Sequence, residues 1–201
     1  MSEMNKEKID VDFYHEIKSG EKESGDSFFY AIYEHMFICV IADGLGSGQL
    51  AKESSEIVVQ FIKENPLLDD QSIVALANKH LFKKRGVVLG ILRIQMDKGE
   101  YVYSSIGNIG LIVIDENNNR ERNIPKHGYL SNRPCELKQI SGKVSRANFI
   151  LYSDGVSDNE LTRETFQYGK PSQLIETFKR HISHTRSDDT TLIAIQYNHS
   201  L

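Results

Sequence analysis

The sequence predicts an α+β fold built mainly on antiparallel sheet, and three observations carry that expectation. Short β-rich runs come in consecutive groups separated by tight-turn residues, so strands do not alternate regularly with helices. Two helical patterns follow one another directly between two such groups. The two most apolar runs, Met36–Ile41 and Ala147–Tyr152, have strand length and each leads into an acid followed by glycine. At 201 residues a single domain spanning 1–201 is expected, long enough to bury a real core.

Taken in order, Ile9–Ile17 alternates loosely and suits an edge or half-buried strand. Ser27–Tyr33 is aromatic and β-branched, and Glu34-His35 supplies the turn into the apolar strand that ends at Asp43. The period then changes. Leu50, Ser54, Ile57, Val58, Phe61 and Ile62 share one helical face, with Ser47 as N-cap and Pro66 as the stop. A second helix is expected over Asp70–Lys84. Val87–Ile94, Glu100–Ile106 and Gly110–Ile114 form a meander, Asp115–Asn123 a loop or hairpin tip, and His127–Pro134 an irregular segment. Glu136–Val144 and Ala147–Tyr152 are strands, Pro171–His181 a helix, and Leu192–Tyr197 the closing strand.

Composition excludes several classes of function. Twenty-four basic against twenty-eight acidic residues give a net charge of −4, and the longest basic run is Lys83-Lys84-Arg85, so nucleic acid is not an expected partner. No apolar run approaches the length of a membrane span, and the N-terminal residues lack the apolar core of a signal peptide. Cys39 lies in a strand and Cys135 in a loop, which suits two unpaired thiols in a reducing cytoplasm. No heptad pattern or long apolar stripe calls for self-association, and a monomer is expected.

Four places share one design. Asp26 follows Gly25 before a strand, Asp43 precedes Gly44 after a strand, Asp154 precedes Gly155 after a strand, and Asp188-Asp189 stands before the last strand. Each puts a carboxylate at the end of a sheet. In a hairpin the start of one strand lies beside the end of its partner, so Asp26 and Asp43 should be neighbours. If the four ends converge, the carboxylates repel one another unless cations lie among them. Oxygen ligands without zinc-type His/Cys spacing suit Mg²⁺ or Mn²⁺. Two such ions can deprotonate a bridging water and polarise a phosphate opposite it.

The runs SGDSFF, IADGLGSG, SIGNIG, FILYSDGVSD and SDDTTLIAI, in this order from Ser24 to Tyr197, resemble the successive motifs of the metal-dependent protein phosphatases of the type 2C (PPM) family. Within it, GDSFF, ADGLGSG, KES, KKRG and GYLS resemble the small bacterial stress-response members. The resemblance implies two mostly antiparallel sheets packed face to face and flanked by helices, an αββα sandwich. It implies a serine/threonine phosphatase using two Mn²⁺ or Mg²⁺ ions, with Asp26, Asp43, Asp154 and Asp188 as catalytic metal ligands. Asp43 would bridge both ions and Gly44 would offer its carbonyl. Asp154 and Asp188 would complete the first site and Asp26 would serve the second, directly or through water. Asp189 would orient water or backbone. The implied substrates are phosphorylated STAS-domain regulators of the bacterial general stress (sigma factor) pathway, and the implied location is the cytoplasm.

Two positions depart from the family. Gly25 stands where many eukaryotic members have a glutamate, which implies weaker hold on the second ion, and Glu21 or Lys22 stands where they carry an arginine that grips phosphate. Arg85 and Arg186 are candidates for that grip, while Gly107-Asn108 reads as a structural turn. Two other readings compete. One is a nucleotide cradle formed by Gly44, Gly46 and Gly48 at a helix N-terminus, which requires a parallel βαβ unit. The other is a scaffold of the same fold without catalysis.

Overall fold

The computed structural model describes residues 8–125, 127–162, 166–182 and 185–199. The strands are β1 (Ile9–Glu16), β2 (Asp26–Tyr33), β3 (Met36–Gly44), β4 (Val87–Gln95), β5 (Glu100–Ile106), β6 (Gly110–Asp115), β7 (Arg120–Arg122), β8 (Lys138–Lys143), β9 (Arg146–Tyr152) and β10 (Thr190–Asn198). The helices are α1 (Gln49–Glu64), α2 (Asp70–His80) and α3 (Pro171–His181). One five-stranded sheet runs β1-β10-β9-β6-β7 and the other β2-β3-β4-β5-β8. Every named strand pair is antiparallel.

Strand alternation assigns the layers. On β3, Phe37, Cys39 and Ile41 meet Phe149, Leu151, Ile193 and Ile195 of the opposite sheet. The other face of β3, Ile38, Val40 and Ala42, packs with Val58 and Ile62 of α1 and Ile73 and Ala77 of α2. On the far side Ile112, Ile150 and Leu192 pack against Leu174, Ile175 and Phe178 of α3. The order is therefore helices, sheet, sheet, helix. Each fully buried Val, Ile, Leu or Phe contributes about 1.5–3 kcal/mol relative to exposure, so a strand buried on both faces, such as β3, anchors the structure.

Three local readings change, and a fourth is narrowed to one of its two alternatives. Gly48, not Ser47, is the N-cap of α1, and it makes no side-chain cap bond, because the Ser47 hydroxyl donates instead to Glu21 at 2.8 Å. Leu50, the first residue of the expected inner face, is 56% exposed, and the fully buried Ala51 carries the inner face of that first turn instead. α2 ends at His80, not Lys84: Lys83 takes φ 61, which no helix continues, and Phe82 is left exposed. Asp115–Asn123 is a hairpin tip whose return arm pairs Arg120, Glu121 and Arg122 with Ile114, Val113 and Ile112.

Candidate active site

The face of each sheet that is apolar in the core turns polar where the strands run out at one end. β2 and β3 pair so that Asp26 lies directly opposite Asp43, next to Phe28 opposite Ile41. Asp43 continues the Phe37, Cys39, Ile41 face toward the other sheet. From that other sheet, Ser153 continues the Phe149, Leu151 face, and Thr191 and Asp189 continue the Ile195, Ile193 face. Asp26, Asp43, Asp154, Asp188 and Asp189 line one cavity of about 240 Å³, with Lys18, Leu45, Gly46 and Ser47. All five aspartates singled out in the sequence are thus together.

Asp26 is buried, and one of its oxygens, Oδ2, accepts from the Ser153 hydroxyl at 2.6 Å and the Thr191 hydroxyl at 2.7 Å. Its other oxygen, Oδ1, is buried without a hydrogen-bond partner. Asp189 accepts the Lys18 amide on Oδ1 at 2.9 Å and the Gly25 amide on Oδ2 at 2.7 Å, so it fastens the β1–β2 loop to the start of β10. Asp154 Oδ2 accepts from the Asn108 side chain at 2.8 Å. Lys18 Nζ stands 3.9 Å from Asp188 Oδ1 at the partly exposed rim. Gly44 is held to Gly25 by an amide-to-carbonyl bond of 3.1 Å, and a Cβ on Gly44 would overlap the Ala51 backbone, so glycine lets α1 approach the strand end. At Gly25 a Cβ would stand 3.1 Å from Ala51 Cβ and 3.3 Å from Asp189 Oδ2.

The electrostatics follow from this crowding. Burial pushes the Asp43 carboxyl up to about 8, with the charges of Asp26, Asp154, Asp188 and Asp189 adding to it. Burial also pushes Asp26 up to about 6, against the pull of the Ser153 and Thr191 hydroxyls. Asp154 is raised too, first by burial. Carboxyl groups raised by burial and by one another's charge make a place where a cation balances the charge. The lining carries oxygen donors and no His or Cys, so the site fits a hard divalent ion. Among the described residues no three His, Cys, Asp or Glu side chains are already drawn onto a single ion. Carboxylates spread around a cavity suit ions that keep several of their waters, as Mg²⁺ does.

The chain is 31% identical over 177 residues to the phosphoserine phosphatase RsbX of Bacillus subtilis (strain 168), with 88% of each sequence covered. The chain belongs to the type 2C phosphatases. The crystal structure of RsbX in complex with magnesium matches with a TM-score of 0.88 at 30% identity, over 96% of both chains. A chain from work on the bacterial stressosome matches at 0.81 and 21% identity, over 94% of this chain and 99% of that one. The PP2C phosphatase domain of SpoIIE from Bacillus subtilis matches at 0.78 and 16%, over 94% of this chain and 62% of that one. These last two show the fold alone. No family model matches the sequence. As a type 2C phosphatase the protein is an enzyme of the serine/threonine phosphatase class, with the αββα fold that the motifs implied.

Several residues of this type 2C site carried little sequence signal. Ser153 directly follows the apolar β9 and Thr191 lies in the apolar β10; only their nearness to Asp154 and Asp189 distinguishes them. Asn108 is more than a turn residue, because it reaches Asp154. Arg186 is corrected: it is buried, pairs with Glu160 at 2.7 Å, and donates to Thr190 Oγ1 at 2.9 Å and to the Gly155 carbonyl. Its guanidinium clamps the loop after Asp154 to the loop before β10 and is not free for phosphate. Arg85 is exposed, and its guanidinium lies beside Gly46 on the cavity wall. The nucleotide-cradle reading fails on topology, since α1 leaves an antiparallel sheet.

Proposed function

We propose that this type 2C phosphatase hydrolyses phosphoserine and phosphothreonine on proteins with two divalent ions, Mg²⁺ or Mn²⁺, held by Asp26, Asp43, the Gly44 carbonyl, Asp154 and Asp188. The single observation that carries this reading is the Asp26–Asp43 cross-strand pair, in which the buried Asp26 Oδ1 has no partner in a cavity walled by three further aspartates. When bound, such ions supply a nucleophilic water at neutral pH and offset the charge of the phosphate.

The chain's own residues have separate tasks. Ser153 and Thr191 occupy one oxygen of Asp26 and keep the other available. Asn108 fixes Asp154 in the same way, which leaves its second oxygen for an ion. Asp189 holds backbone, and its two amide bonds set the distance between the β1–β2 loop and β10. Arg85 and Lys18 at the rim supply positive charge that draws a phosphate dianion toward the cavity.

Similarity to RsbX and to a stressosome chain supports a phosphorylated stress-signalling protein, of the kind carrying STAS domains, as substrate. Among the described residues no helix is long and apolar enough to cross a membrane. Phosphate release from p-nitrophenyl phosphate and a phosphoseryl peptide, measured with Mg²⁺, with Mn²⁺ and in EDTA, tests the reaction. Metal-dependent turnover is expected; equal rates with and without metal overturn it. An anomalous map from Mn²⁺-soaked crystals tests the ion count, for which two peaks are expected and one refutes the pair. Dephosphorylation of a STAS phosphoprotein against an unrelated phosphoprotein tests the substrate class.

A further inference from the structure

The aspartate cavity opens on one side into a second groove of about 370 Å³. The two share Asp43, Leu45 and Asp154, and the groove adds Val88, Pro125 and Tyr129 together with the polar Asn108 and His127. The chain builds its apolar wall rigidly. Leu45 donates its amide to the Gly86 carbonyl at 2.8 Å, and Val87 and Leu130 exchange amide-to-carbonyl bonds of 2.9 and 2.8 Å. Leu45 and Tyr129 are thereby fixed on the two sides of Gly86. A Cβ on Gly86 would stand 2.5 Å from Tyr129 Cδ2 and 2.7 Å from Leu45 Cδ1, so the two side chains close over a position that only glycine leaves open. Tyr129 nevertheless remains 49% exposed. An aromatic ring held this firmly, half uncovered and continuous with catalytic carboxylates, has the character of a recognition anchor.

We infer that this groove receives the residue flanking the phosphoserine of the protein substrate and selects an apolar side chain there, with Tyr129 and Leu45 as its contact surface. The inference rests on the phosphatase reading above and specifies its substrate. Asp43 and Asp154 line both spaces, so a phosphoseryl residue seated at the aspartates has its chain passing over this rim. At about 3.5 Å per extended residue, the first or second neighbour lies on the Leu45–Tyr129 wall. The opposite rim, Lys18 and Asp188, is charged. An apolar neighbour gains contact on one side only, so the discrimination is directional along the substrate chain.

The test compares phosphoseryl peptides of equal charge that differ in one flanking residue, Leu or Phe against Ser, placed one or two positions before or after the phosphoserine. The parent enzyme with Mg²⁺ is expected to prefer the apolar peptide roughly tenfold in kcat/KM, mainly through KM, with the residue on one side of the phosphoserine only. Tyr129→Phe keeps the preference. Tyr129→Ala and, independently, Tyr129→Gln bring the ratio close to one. A parent enzyme that hydrolyses all the peptides equally overturns the groove, as does a preference that survives both Tyr129 substitutions. In either case metal-dependent turnover of p-nitrophenyl phosphate shows that the phosphatase reading stands. Failure on every phosphomonoester overturns both.

Discussion

Two buried aspartates, Asp26 at the start of β2 and Asp70 at the start of α2, have the same exposure, 5%, and opposite surroundings. Asp70, at the start of α2, accepts Arg93 Nε at 2.6 Å on one oxygen and the Ser104 hydroxyl on the other. Arg93 in turn donates to the Pro66 carbonyl at 2.7 Å and the Leu68 carbonyl at 3.0 Å, so both charges are compensated within the fold. Asp26 has two hydroxyls on one oxygen, nothing on the other, and aspartates for neighbours. A carboxylate that only supports the fold comes with its counterion. One kept for chemistry leaves the counterion to be supplied from solution, and the fold bears the repulsion meanwhile.

That contrast is broken most severely at its two ends. Asp43→Asn should lower metal-dependent phosphate release at least about a hundredfold, given the several kcal/mol that metal-held charge contributes to the transition state. In EDTA at pH 8 the same variant should melt higher than the parent, because a neutral amide removes repulsion from the cluster. A lower melting temperature there would contradict the charge reading. Arg93→Leu should do the reverse. It leaves the Asp70 charge buried and unpaired, which costs about 3–5 kcal/mol in urea unfolding, and Mg²⁺ affinity should stay at the parental value. Loss of metal affinity in that variant would erase the distinction between the two sites.

A smaller effect sharpens the picture of Asp26. Thr191→Val removes one of its two hydroxyl donors with little change in shape. Loss of such a supporting bond should weaken Mg²⁺ binding about tenfold by calorimetry, while the protein stays folded. Unchanged affinity would make the hydroxyl a packing group only.

A further effect is in pH. An unfolded aspartate titrates near 4, whereas the folded protein raises Asp26 to about 6 and Asp43 to about 8. Between these values the folded state keeps protons that the unfolded state has released, so stability falls as pH rises. In EDTA the melting temperature should therefore drop from pH 5 to pH 8. Divalent ions compete with those protons, so added Mg²⁺ should raise the melting temperature more at pH 8 than at pH 5. A melting temperature in EDTA that rises across this range would refute the protonated cluster.

Much of the contrast was visible in the linear chain, for local reasons. Asp26 and Asp43 were paired by hairpin geometry, since a strand of eight residues and one of nine joined by a two-residue turn must bring start beside end. The Asp-Gly corners after Met36–Ile41 and Ala147–Tyr152 followed from apolar runs meeting turn residues. Local rules point to Ser47 as a cap and to a second helix out to Lys84, but a distant Glu21 draws the Ser47 hydroxyl and a left-handed turn at Lys83 ends what periodicity would continue. Arg186 looked like any basic residue in a loop, and only burial against Glu160 revealed its task.

What the sequence by itself determined was where strands end, that acids stand at those ends, and that two of them are neighbours, because period, turn chemistry and hairpin register act over a few residues. The tertiary structure alone decided how the two sheet ends face each other. Ser153 and Thr191 reach Asp26 across 127 and 165 residues of chain. It also decided that Tyr129 and Leu45 enclose Gly86 beside the aspartates. Such contacts depend on which faces two sheets present when they pack, and that choice is made by the whole apolar core and not by any one stretch of it.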